Sequence, residues 1–217
     1  MTDSAVRELP MFPLGSVLFP LAVLPLHVFE PRYVALVERI LLGDLPPEFG
    51  TVLIERGSEV GGGDVRFDVG TVMRVGSMAW VPPDRYVLET VGVERVRVVE
   101  WLPDAPFPRA RVEARLDHVG PDAVGARDAA EFALRQFLAF AADLGVAVDP
   151  DVPIGDDPAR ASFEIAAFAP VSALDAQAVL ELDDVGQRCW RLAQLIDEQR
   201  ELAEAQRASD RGDPPDD

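Results

Sequence analysis

One cysteine, two histidines and the adjacent aspartates Asp156-Asp157 and Asp183-Asp184 are groups in this sequence that could attack a carbonyl, move a proton or hold a metal. Cys189 stands beside Trp190 in an apolar stretch. A catalytic thiol needs an electropositive, partly exposed setting, so Cys189 reads as a small core residue. His27 sits among Leu26, Val28 and Phe29 on an expected strand. A Ser-His-Asp arrangement is defined by geometry, and neither His27 nor His118 comes with a Gly-x-Ser-x-Gly elbow. Ser16, after Gly15, reads as a turn residue. Asp156-Asp157 and Asp183-Asp184 precede expected helices, where aspartates cap and solvate. A hard cation needs several convergent oxygens, and one cysteine can build neither a Cys/His zinc site nor an intramolecular disulfide. The sequence calls for no catalytic residue, no metal and no cofactor.

The charged residues exclude more. The chain of 217 residues carries 38 acidic groups and 20 basic ones, a formal −18, and every basic residue is arginine. Without lysine there is no P-loop, no Schiff base or pyridoxal chemistry and no Ser-Lys peptidase dyad. The acidic balance argues against nucleic acid as a partner and against docking on an anionic membrane. The N-terminus lacks a basic signal-peptide region. The longest apolar run, 17–29, is broken by Pro20, Pro25 and His27 and is too short to span a bilayer. A cytoplasmic protein is expected.

Met73, Met78, Trp80, Pro82 and Tyr86 form the remaining group of interest, gathered around the turn at Pro82-Pro83-Asp84. Aromatic and methionine side chains usually fill cores. Exposed together, they would make a tolerant apolar surface for peptide binding, because flexible Met and rigid aromatics demand little of a partner's sequence. These five are the candidate peptide-binding residues.

The elements that would position them fall into two regions. Residues 1–120 hold 12 arginines against 17 acidic residues, net −5, and are rich in Val, Pro and Gly; residues 121–217 hold 8 against 21, net −13, and are rich in Ala and Leu. Segregated strands and helices mean an α+β fold. Strands are expected at 51–55, 68–75, 86–91, 94–101 and 109–117. The last alternates Ala110, Val112, Ala114 and Leu116 against Arg111, Glu113 and Arg115. Gly92 is read as a short connection, and short turns between consecutive strands give antiparallel pairing. A helix from Pro31 to a stop at Gly43 places Tyr33, Leu36, Val37, Ile40 and Leu41 on one stripe. The triple-glycine stretch 58–64 lacks the strand–glycine–helix context of a phosphate loop.

In the second region helices are expected at 127–144, closed by Gly145, at 159–168, at 172–182 with Ser172 and Asp175 as a capping box variant, and at 184–206. Phe132, Leu134, Phe137, Leu138 and Phe140 predict a first helix sandwiched between neighbours. Val185, Cys189, Leu192 and Ile196 share a face of the last helix. The expected boundaries are a β subdomain at 1–120, a helical subdomain at 121–207 and a disordered acidic tail at 208–217.

The order of several blocks resembles the N-terminal substrate-binding domain of Lon proteases. These are Leu9-Pro10-Met11-Phe12-Pro13-Leu14-Gly15, Val17-Leu18-Phe19-Pro20 and Leu24-Pro25-Leu26-His27-Val28-Phe29-Glu30-Pro31-Arg32-Tyr33. Val69-Gly70-Thr71-Val72 is similar to that family's Gly-Thr strand, and Gly92-Val93-Glu94-Arg95-Val96-Arg97-Val98 to its Gly-x-x-Arg strand. The helical stretches 174–181 and 185–206 resemble the end of the domain. The resemblance implies a PUA-like antiparallel β-barrel with one inserted helix, followed by an α-helical bundle. It also implies capture of unfolded or exposed polypeptide segments, in a stand-alone protein without the ATPase and peptidase. Read residue by residue, the blocks are structural: prolines set turns, and Glu30 and Arg32 flank a helix start.

A non-enzymatic, adaptor or holdase-like module that binds polypeptide segments is therefore the expected function. An RNA-binding PUA-like module is the alternative, using Arg95, Arg97, Arg109, Arg111 and Arg115 as a basic face. A scaffold subunit of a larger complex is a third reading.

Overall fold

The computed structural model describes residues 5–56 and 65–212, and the chain divides into two compact units, Met1–Leu116 and Asp117–Asp217. The triple-glycine stretch and the end of the tail, 213–217, lie outside the described residues.

The first unit contains strands β1 (Arg7–Pro10) and β2 (Val23–Val28), helix α1 (Pro31–Leu41), and strands β3 (Glu48–Arg56), β4 (Val65–Val81), β5 (Arg85–Leu102) and β6 (Arg109–Ala114). They form one antiparallel sheet in the order β1-β6-β5-β4-β3, with β2 also paired to β5. The α+β class is as expected, but among the described residues no strand ladder closes the sheet into a barrel. Its two edges are joined by irregular backbone instead: residues 11–14, just past β1, run parallel to β3 through bridges Met11–Gly50 and Leu14–Leu53. Pro10 and Pro13 explain the irregularity, since neither can donate to a ladder.

Gly92 is not a connection. It lies inside β5, which runs unbroken and pairs with β2 over 86–91 and with β6 from Val96 onward. A Cβ there would stand 2.4 Å from the Phe19 carbonyl oxygen, so the glycine marks a close approach of backbone rather than a turn. Gly70 does the same against Thr51, and the neighbouring Thr71 hydroxyl donates to the Leu18 carbonyl at 2.5 Å.

Helix α1 starts with Pro31 in its first turn and ends in a Schellman motif. Gly43 takes φ +79°, its N–H reaching Ile40 O while the Asp44 N–H reaches Arg39 O. Tyr33, Leu36, Val37 and Ile40 are buried against the sheet, whereas Leu41 at the last turn is exposed. This helix packs with Leu26, Val28, Phe49, Met73 and Leu88 into one core cluster; a second gathers Leu9, Met11, Val52, Val72, Val96 and Val112.

The second unit holds α2 (Ala123–Asp143), α3 (Pro158–Phe168), α4 (Ala173–Leu180) and α5 (Val185–Gly212). Helix α5 continues past the expected end at 206 into the first residues of the expected tail. Gly145 ends α2 in a second Schellman motif at φ +82°. Asp157, Ser172 and Asp184 accept hydrogen bonds from the backbone N–H groups of Arg160, Asp175 and Gln187, capping the three later helices as their sequence positions predict. The sandwiched α2 is only partly realised. Its buried stripe is mostly small residues, Ala126, Ala130, Ala133 and Leu134 among them, while Phe132 is exposed. Alanines let α2 and α5 approach closely, while Phe137 and Phe140 are half-buried and Arg207 of α5 lies 6.0 Å from the Phe140 ring. Two arginines of α2 hold the acidic, Pro-rich loop before α3: Arg127 donates to Gly155 O at 2.9 Å and Arg135 to Pro150 O at 2.6 Å.

Candidate functional site

The five candidate residues lie on the β4–β5 hairpin, and the structure separates them. Met73 is fully buried in the core cluster with Phe49 and Leu88 and offers no surface. Met78 and Tyr86 are half-buried against that cluster. Trp80 is 60% exposed, and Pro82 sits exposed in the turn between the strands.

Strand register groups the last four. Trp80 pairs with Tyr86 and Tyr86 with Val28, so three adjacent strands place these residues in one row. The next row is Met78, Leu88 and Leu26. Side chains alternate along a strand, so both rows share one face. That face is core at Leu26, Val28 and Leu88 and grades outward through Met78 and Tyr86 to Trp80.

The same unit contains a pocket that sequence reasoning missed. It is lined by Phe12, Leu14, Leu26, His27, Phe29, Glu30 and Tyr33 and encloses about 350 Å³, its open mouth included. Phe12 stacks on Tyr33 with ring centroids 3.8 Å apart, which makes a flat aromatic wall. Phe29, 55% exposed, stands on the rim. Glu30 lies 3.2 Å from Arg32, whose guanidinium sits 4.5 Å over the Tyr33 ring. An apolar wall with a carboxylate at its edge suits an apolar side chain next to a cationic or neutral polar group. The signal was present in the run Leu26 to Tyr33, where one strand ends and a helix begins two residues later.

His27 and His118, two further candidates for chemistry, lie on different units. His27 is exposed on β2. His118 is exposed in the second unit, where its backbone N–H donates to the Asp183 carbonyl. Cys189 is buried on α5, and burial pushes its thiol up to about 11. Among the described residues no group of three or more His, Cys, Asp or Glu is gathered as a metal site.

The arginines that would make a basic face are spent on neighbours. Arg97 donates to Glu113 at 2.8 Å, Arg109 to Glu8 at 2.9 Å and Arg111 to Glu100 at 2.8 Å, all across adjacent strands. Arg95 is 2% exposed.

A sheet unit with an apolar, partly exposed hairpin face, followed in the chain by a helical unit, defines an α+β chain of a recognisable kind. Residues 8–198 match the family described as the ATP-dependent protease La (LON) substrate-binding domain, and the chain belongs to that family. It is 31% identical over 204 residues to Lon protease 2 of Myxococcus xanthus, covering 90% of this chain and 24% of that protein. It is 30% identical over 200 residues to the Lon protease of Anaeromyxobacter dehalogenans, covering 89% and 23%. The chain thus spans about a quarter of the length of the curated relatives it matches. Among solved structures, the Lon N-terminal domain protein from Xanthomonas campestris superposes with a TM-score of 0.62 at 26% identity, over 86% of this chain and 96% of that one. The N-terminal domain of the Mycobacterium avium complex Lon protease shares the fold, with a TM-score of 0.61 at 12% identity, over 88% and 98%.

The blocks that carry the family likeness are built into the sheet. Gly70, Thr71, Gly92 and Arg95 all serve close backbone approach or buried polar packing. They fix the inner part of the hairpin against the neighbouring backbone.

Proposed function

We infer that this chain binds apolar segments of unfolded or exposed polypeptide, as an adaptor or holdase-like module without enzymatic activity of its own. The β unit is the binding part and the helical unit a separate subdomain. The receiving surface is the outer end of the hairpin face, Met78, Trp80, Pro82 and Tyr86, with the pocket at Phe29 and Glu30 on the same unit. The observation that carries this reading is Trp80, an indole 60% exposed at the end of a face that is otherwise core. Tryptophan is enriched among binding anchors, and this one shares its face with the half-buried Met78 and Tyr86. The family's description as substrate-binding supports the same reading. A cytoplasmic setting fits the lone, unpaired Cys189.

The RNA-binding alternative loses its main support, because Arg97, Arg109 and Arg111 already face carboxylates. A scaffold role predicts a fixed partner in place of many clients.

The test is retention of chemically denatured proteins on immobilised chain, against an acidic protein of similar charge. Retention above that control, reduced by Trp80→Ala, is expected. Equal retention on both overturns the reading. A salt-dependent shift of RNA mobility at low ionic strength would transfer the function to nucleic acid.

A further inference from the structure

Strand β4 outruns its partner. Strand β3 begins at Glu48, paired with Arg74, and the last backbone bond on that side is Val75 N–H to Pro47 O. Pro46 and Pro47 have no N–H to extend the ladder. Among the described residues, 76–81 therefore pair with β5 alone, from Ser77 opposite Glu89 to Val81 opposite Arg85. Every second residue of such a strand sends its N–H and C=O away from the partner. Six residues make about 20 Å of open edge.

A register irregularity between Val75 and Ser77 marks the start of the open stretch, and beyond it the edge carries neither charge nor proline. Residues 75–81 read Val-Gly-Ser-Met-Ala-Trp-Val, with no charge and no proline. Exposed edges normally carry Lys, inward charges or Pro to prevent pairing with another chain. Ser77, Ala79, Trp80 and Val81 are all exposed, so the backbone between them is reachable.

We propose that this edge takes up an extended segment of another polypeptide as an added antiparallel or parallel strand, resting on the polypeptide-binding reading above. Main-chain hydrogen bonds would supply affinity indifferent to sequence. One side of the incoming strand would lie along Met78 and Trp80, the other along Ser77, Ala79 and Val81, so alternating apolar residues are favoured. Charge selects a foreign segment over a second copy of this chain: two copies bring −18 against −18, whereas a segment flanked by Arg or Lys is attracted.

The experiment uses the full chain and a synthetic peptide alternating valine and threonine between terminal arginines, with the same peptide N-methylated at every second residue as its control. Amide hydrogen exchange is followed along β4. Saturating peptide is expected to slow exchange of alternate amides within 76–81 by about tenfold or more. N-methylation is expected to weaken binding by about tenfold or more. If both peptides bind alike and exchange at 76–81 does not change, strand addition is overturned while polypeptide binding stands. If neither peptide nor any denatured protein binds, the polypeptide-binding reading itself falls. Protection of 76–81 that grows with the concentration of the chain alone assigns the edge to a second copy and overturns the proposal.

Discussion

The guanidinium of Arg188, fully buried on α5, donates to the carboxylate of Asp117 and lies 4.3 Å over the Phe163 ring. It also reaches the Ser162 hydroxyl at 3.0 Å and the Leu182 carbonyl at 2.7 Å. One cation thus ties the start of the second unit to α3, the α4–α5 turn and α5. Asp117 remains 24% exposed at its side chain, and Arg188 is not exposed at all.

That asymmetry fixes the order of two substitutions. Asp117→Ala leaves a buried positive charge with only neutral partners, and a loss of about 3–5 kcal/mol is expected. Arg188→Met fills the space and leaves a carboxylate that water can reach, so it costs less. Urea unfolding of the two variants checks the order; equal losses would contradict it.

Glycines separate just as sharply. Gly70→Ala would place a Cβ 1.8 Å from the Thr51 carbonyl oxygen, and Gly92→Ala would place one 2.4 Å from that of Phe19. Neither backbone can yield without moving a strand, so each is expected to cost about 3 kcal/mol or more, or to prevent folding. Gly125 in α2 meets nothing within 4 Å, and Gly125→Ala is expected to stabilise by about 0.5–1 kcal/mol. Thermal melts of the three variants should rank them accordingly.

Cys189 makes stability depend on pH in one direction. Burial raises its thiol from 9.0 to about 11 in the folded chain, against the smaller opposing pull of Arg188 and Arg127. Below pH 9 both states hold the proton and nothing changes. Between pH 9 and 11 the unfolded chain loses its proton first, so stability falls, by about 2–3 kcal/mol in total. The measurement is the difference between wild type and Cys189→Ala. The variant should show the flatter slope. The native thiol should also resist thiol reagents at pH 8 until the chain is unfolded.

Local chemistry made much of this fold legible. Gly43 and Gly145 read as helix stops and take positive φ; Ser172 caps with Asp175; the face of Val185, Cys189, Leu192 and Ile196 is buried as its spacing demands. The failures share a cause, which is contact between distant segments. Gly92 looks like a turn until the Phe19 backbone is placed against it. Arg188, three residues after Val185, lies on the buried stripe, where its charge is matched by Asp117 brought in from outside the helix. The pocket at Phe29 needs Phe12 and Tyr33 brought together from two elements.

The same cause divides the Met/aromatic group and gives it a test. Met73 and Trp80 lie on one strand, but Met73 faces the core where β3 still covers β4, and Trp80 stands beyond Pro47, where that cover has ended. Composition alone cannot tell them apart; the length of a neighbouring strand does. Met73→Ala opens a cavity in a fully buried site and is expected to cost about 2–5 kcal/mol. Its binding to denatured protein should follow only the fraction that stays folded. Trp80→Ala removes a side chain that is mostly in water, so stability should stay within about 0.5 kcal/mol. Binding should fall by about tenfold or more, as for loss of an aromatic anchor. Denaturant unfolding and client retention measured on both variants decide the matter. If Trp80→Ala lowers stability and leaves retention unchanged, the indole is a packing residue and the hairpin end is not the binding surface.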